Sequence, residues 1–68
     1  MRQVSGKEFI RLLQKRGWIL KRINGSHYIF TKEGQPERIV IPVHGNRPLK
    51  IGLLQHQMKI AGLTGSDL

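Results

Sequence analysis

The 68-residue chain has no cysteine, only four acidic residues and only four aromatic ones. Without cysteine there is neither a disulfide framework nor a thiolate zinc site. A chain this short, which buries roughly 60 % of its unfolded surface on folding, must then hold together by packing alone. Its three histidines, His27, His44 and His56, do not repeat at a metal-ligand spacing, so neither a metal nor any other cofactor is expected. Long apolar runs are missing as well. Stretches such as Ile39-Val40-Ile41 are too short to cross a bilayer or to form a signal-peptide core, and no basic amphipathic helix carries an exposed aromatic face. The expectation is a cytoplasmic protein with no membrane role, a single domain over residues 1–68.

The shortage of acids leaves twelve Lys and Arg against four Asp and Glu, a formal charge of +8 at pH 7. Such an imbalance calls for an acidic partner. Nucleic-acid phosphate is the commonest, because each phosphate neutralised releases condensed counterions. Lys7, Arg11, Lys15, Arg16, Lys21, Arg22 and Lys32 crowd the first half of the chain. That clustering favours a binding surface over a merely basic coat.

Ser5-Gly6-Lys7-Glu8 fits a capping box, and Phe9, Leu12 and Leu13 form an apolar stripe opposite Lys7, Arg11 and Lys15, so a helix is expected from about Ser5 to Arg16, stopped by Gly17. Trp18 to Ile23 and His27 to Lys32 read as strands joined at Asn24-Gly25, the strongest short hairpin signal because both residues accept positive φ. A second turn at Lys32 to Pro36 leads into a strand from Arg38 to Val43. Alternation puts Ile39, Ile41 and Val43 on one face, and Tyr28 and Phe30 on one face, leaving His27, Ile29 and Thr31 on the other. After a loop at His44 to Pro48, Ile51, Leu54, Met58 and Ala61 keep helical spacing until Gly62, and Thr64 to Leu68 reads as a frayed tail. The order is α-β-β-β-α: an α+β fold with two helices on one face of a three-stranded antiparallel sheet. The other face is left open for a ligand.

His27 stands out because it follows a tight turn and starts a strand, so its imidazole is held where the backbone moves least. With an ordinary pKa of about 6.5, histidine can act as acid or base near neutrality without special tuning. RNA carries its own nucleophile, the 2'-hydroxyl. An enzyme need only remove that proton, stabilise the charge on phosphorus and protonate the leaving 5'-oxygen. His27 suits the proton transfer, and Lys21, Arg22 and Lys32 on neighbouring strands are candidates for the charge. His44 could be the acid partner of His27. His56, in mid-helix, reads as solvated. Ser26 could orient the imidazole or bind phosphate, or serve only the turn. Trp18 and Tyr28 could stack on bases, though in a chain so poor in aromatics the core has first claim on them.

The chain resembles the HicA toxin family of bacterial toxin-antitoxin modules over nearly its whole length. The resemblance rests on Ser5-Gly6-Lys7-Glu8 with Leu12-Leu13, on Gly17-Trp18 followed by Arg22-Ile23-Asn24-Gly25-Ser26-His27-Tyr28, on Ile41-Pro42-Val43-His44, and on Leu49-Lys50-Ile51-Gly52-Leu53-Leu54 through Ile60-Ala61-Gly62-Leu63. It implies a double-stranded-RNA-binding-domain-like fold. It also implies an endoribonuclease that cleaves mRNA through the histidine matching His27, and a HicB-type antitoxin partner. The chain departs from the family at Gly52-Leu53-Leu54-Gln55, where relatives usually have Gly-Thr-Leu-Arg, and so lacks one basic residue of the last helix.

Two other functions suit the same composition. A non-catalytic RNA-binding module of the double-stranded-RNA-binding type would commonly start its last helix with clustered lysines, whereas here only Lys50 stands near it. A module that docks an acidic protein overlaps with the toxin reading, because an antitoxin must cover the same basic face.

Overall fold

In a computed structural model, which describes residues 2–68, helix α1 (Gly6–Lys15) begins at the cap that Ser5 provides. Ser5 Oγ accepts from the Glu8 amide at 3.2 Å, and the Glu8 carboxylate accepts from the Ser5 amide at 3.3 Å, so two donors that a helix start leaves orphaned are satisfied reciprocally. The helix ends at Gly17, whose φ of +89° lets the chain turn back. Gly17 N donates to Gln14 O and Trp18 N to Leu13 O, the paired bonds of a Schellman motif. That turn delivers Trp18 into the core, where it is buried beside Leu13.

Strands β1 (Ile19–Asn24), β2 (His27–Thr31) and β3 (Ile39–Pro42) form one antiparallel sheet in that order. Phe30, Ile39 and Ile41 are fully buried and, with Phe9, Leu13, Leu54 and Met58, make the core between the sheet and both helices. Alternation therefore works as expected in β2 and β3. Edge strand β1 is exposed along its whole length, Ile19, Leu20 and Ile23 included.

The hairpin differs in detail from its sequence signal. Asn24 pairs with His27, so the two loop residues are Gly25 and Ser26. Only Gly25 has positive φ, +62°, and among the described residues no residue other than glycine does. This is the signature of a type II' turn, which needs one left-handed residue, at its first position, and leaves Asn24 extended in the ladder.

Helix α2 (Ile51–Ala61) closes the core with Leu54 and Met58 and ends at Gly62, φ +71°, in a second Schellman motif that buries Leu63. Two expectations for this end of the chain need correction. Ile51 stays largely exposed because it is the first residue of the helix, one turn before the buried stripe starts. Gln57 is buried instead, its Nε2 donating to Val40 O at 3.4 Å. The tail is not frayed: Gly65–Asp67 forms a 3₁₀ turn in which Asp67 accepts from Thr64 N at 2.7 Å and pairs with Arg16 at the end of α1.

Close approach of backbone to backbone fixes how α1 meets the sheet. A Cβ on Gly6 would lie 2.8 Å from Pro42 O, so glycine is what allows the start of α1 to rest on the end of β3. Among the described residues no helix is long and apolar enough to cross a membrane.

Candidate nucleic-acid interface

His27 opens β2 with Asn24 opposite it on β1 and Pro42 opposite it on β3. Tyr28 and Phe30 point to the helices, so by alternation His27 faces the uncovered side of the sheet, where it is exposed. Ser26 O accepts from Val43 N at 2.8 Å, which carries the β2–β3 ladder past Pro42 to the turn itself. The hairpin tip is thus tied to the third strand, and the imidazole starts from an immobilised backbone. Ser26 is half-buried there and contributes this carbonyl to the staple.

A bulge in β1 decides what surrounds His27. Leu20 pairs with Phe30 and Ile23 with Tyr28, so both lie on the helix side although they are three residues apart. Strict alternation would put them on opposite faces. The irregularity between Leu20 and Arg22 inserts Lys21 as an extra residue, and two consecutive cations come to stand opposite one residue, Ile29. Lys21, Arg22 and Arg38 rim a small depression of about 140 Å³ with Ile29 and Thr31. Ile29 is only 8 % exposed although no helix covers its face. The aliphatic stems of the three cations shield it while their charged heads stay in water.

The structure brings together some of the residues singled out by sequence and separates others. Lys21 and Arg22 share the open face with His27, and Arg38 joins them. Sequence reasoning missed Arg38, although alternation from Ile39 and Ile41 places it with Val40 on the outward face. Lys32 goes elsewhere: its Cε lies 3.6 Å from the position of a Cβ on Gly17, so its stem runs along the end of α1 on the helix side. His44 and Lys50 lie past the end of β3, where with Arg47 they line a separate cavity that shares Pro42 with the surroundings of His27. His56 is exposed on α2 and borders a cavity of about 510 Å³ near the C-terminal end of the helix, apart from the candidate residues. Trp18 is buried and Tyr28 is half-buried against the core, so both pack.

Among the described residues Lys21, Arg22 and Arg38 form no ion pair. Glu8 and Asp67 are engaged in the helix layer. The Arg2 guanidinium and the Ser5 amide hold the Glu8 carboxyl below its ordinary range; for Asp67 the Thr64 amide has the largest part, aided by Arg16. Neither ion pair draws on Lys21, Arg22 or Arg38. Among the described residues no three His, Asp or Glu side chains stand close enough to hold a metal ion.

Residues 6–63 match the family model described as the HicA toxin of bacterial toxin-antitoxin. No curated protein matches the chain.

Proposed function

Because the chain belongs to the HicA toxin family, we propose that it is the toxin of a type II toxin-antitoxin module and an endoribonuclease that cleaves mRNA on the open face of its sheet. The observation that carries this reading is the placement of an exposed histidine, fixed between two strands, on the same uncovered face as three cations that form no ion pair among the described residues. His27 takes the proton from the 2'-hydroxyl, which attacks the adjacent phosphorus. Lys21, Arg22 and Arg38 hold the RNA backbone and meet the negative charge that grows on the phosphoryl oxygens. The leaving 5'-oxygen is protonated either by the imidazolium so formed or by His44, which follows Pro42 by two residues. The products are a 2',3'-cyclic phosphate and a 5'-hydroxyl. No step needs a cofactor, and DNA is not a substrate because it lacks the nucleophile.

The test is incubation of the purified protein, in excess EDTA, with a single-stranded RNA and its DNA counterpart. The RNA alone is expected to be cut, to a cyclic phosphate. His27→Ala removes a contribution of about 10² to 10⁴ in rate. It should change stability by less than about 1 kcal/mol, since the side chain is exposed. Cleavage by the variant at the wild-type rate would eliminate His27 as the proton acceptor. Tight RNA binding by a wild-type protein that cuts nothing would point to a non-catalytic RNA-binding module. Ser26, Lys32 and Lys50, the other candidates for RNA contact, divide in this reading: Ser26 sets the turn, Lys32 stays outside the site, and Lys50 acts beyond the end of β3.

A further inference from the structure

The loop that leaves β3 is held by its own bonds. Arg47 N donates to His44 O at 3.1 Å, Leu49 N donates to Val4 O at 2.7 Å, and Pro48 bridges to Ser5. Together they shape a pocket of about 360 Å³ walled by Pro42, Pro48, Leu49 and Leu53, with the exposed His44, Arg47 and Lys50 around it. Ligand sites are typically concave, mostly apolar and larger than about 300 Å³, with a few polar groups that fix orientation. None of the lining side chains is acidic.

That combination of apolar walls and cations on the rim matches one chemical object, a nucleotide with an apolar base face and an anionic phosphate. Position supports the match. Pro42 is both a wall of the pocket and the cross-strand partner of His27. Such partners have Cβ atoms about 4.5–5.5 Å apart, so a chain reacting at His27 reaches the pocket within a nucleotide. Resting on the ribonuclease reading above, we infer that this pocket is a base subsite: it takes one unpaired nucleotide beside the scissile phosphate, with the base between Pro42, Pro48 and Leu53 and the phosphate at Arg47 and Lys50. Bases stacked and paired in a duplex cannot enter it, so the subsite selects single-stranded RNA and biases which bonds are cut. An acidic protein segment would satisfy the cations but would leave the apolar walls unused.

The experiment uses a DNA hexanucleotide with a single ribonucleotide, so that one bond only can be cut, and replaces each base beside that bond in turn by an abasic site. Removing the base that fills the pocket is expected to raise KM about tenfold, the scale of one base contact. In an Arg47→Ala/Lys50→Ala variant, KM is raised for the intact substrate and the same deletion adds nothing further. Both residues are exposed, and their backbone bonds survive the change. A penalty of equal size in both proteins, or none at any position, overturns the subsite. If the wild type cuts nothing, the ribonuclease reading fails, and the subsite is judged by NMR alone. Shifts of the Leu49 and Leu53 methyls on adding the intact but not the abasic hexanucleotide support it; no shift refutes it. Weakened antitoxin binding by the variant with the abasic penalty intact assigns the pocket to the protein partner and overturns the proposal as well.

Discussion

Net charge and charge placement can be separated by moving the same loss of charge from one layer of the protein to the other. Replacing Lys21, Arg22 and Arg38 by Gln lowers the formal charge from +8 to +5, since three cations are removed, and keeps enough side chain to shelter Ile29. Replacing Lys7, Arg11 and Lys15, all exposed on α1, by Gln lowers it by the same three. If RNA lies on the open face, only the first set meets phosphates. The outer side of α1 is separated from that face by a helix about 10–12 Å across, and by the sheet, which exceeds the Debye length of about 8 Å at physiological ionic strength.

Each phosphate neutralised on single-stranded RNA contributes about −0.7 to the slope of log affinity against log salt, so the sheet variant should have a slope shallower by about 2.1. Between about 50 and 200 mM salt this means a loss of affinity smaller by about 18-fold than that of its parent. The measurement is fluorescence anisotropy of a labelled single-stranded RNA, with His27→Ala in every protein so that the ligand stays intact. The α1 variant should keep the parental slope. Equal flattening by both variants, or flattening by the α1 set alone, would show that the cations around Ile29 are not the RNA surface.

Three further outcomes follow from other parts of the fold. Gly6→Ala should destabilise by about 1–3 kcal/mol in urea unfolding, because the new Cβ meets the backbone oxygen of Pro42 at 2.8 Å and α1 must lift from β3; an unchanged midpoint would mean that the contact is slack. Glu8 and Asp67 both have folded pKa values below their ordinary 4.5 and 3.8, so the stability they supply is present above those values and is lost as pH falls through the lower, folded ones. Asp67→Asn should therefore lessen the fall of the urea midpoint with acid, and a variant that tracks wild type would remove Asp67 from the account. A separate acidic antitoxin, drawn in by the unneutralised charge, is expected to bury His27 and the open face; hydrogen exchange in the complex that leaves β2 unprotected would rule out direct occlusion.

Local rules carried most of the architecture. The Ser5 cap, the stops at Gly17 and Gly62 and the alternation of Tyr28, Phe30, Ile39 and Ile41 each depend on residues a few positions apart, and each is found in the structure as the sequence suggests. The failures involve partners far away in sequence. The tail is ordered because Asp67 finds Arg16, fifty-one residues earlier. Gln57 is buried because the Val40 carbonyl on the outer edge of β3 accepts its amide. No periodicity within the tail or the last helix contains that information.

The site was legible in part, for the same reason. His27 could be placed on the open face because it alternates with Tyr28 and Phe30. The faces of Lys21 and Arg22 depended on the pairing of β1, which alternation alone gets wrong: with Ile23 turned to the helices, a regular strand would turn Lys21 the same way and Leu20 to water. The three-residue spacing of Leu20 and Ile23 is the one sequence clue. Both can reach the helix side, opposite Phe30 and Tyr28, only if an extra residue is inserted between them. With Leu20 and Ile23 both on the helix side, the two cations between them stand on the face that carries His27. Deleting Lys21 should therefore do more than remove one charge. It would remove the bulge and restore regular alternation with Leu20 still opposite Phe30, Arg22 opposite Ile29 and Ile23 opposite Tyr28, leaving one cation instead of two beside Ile29.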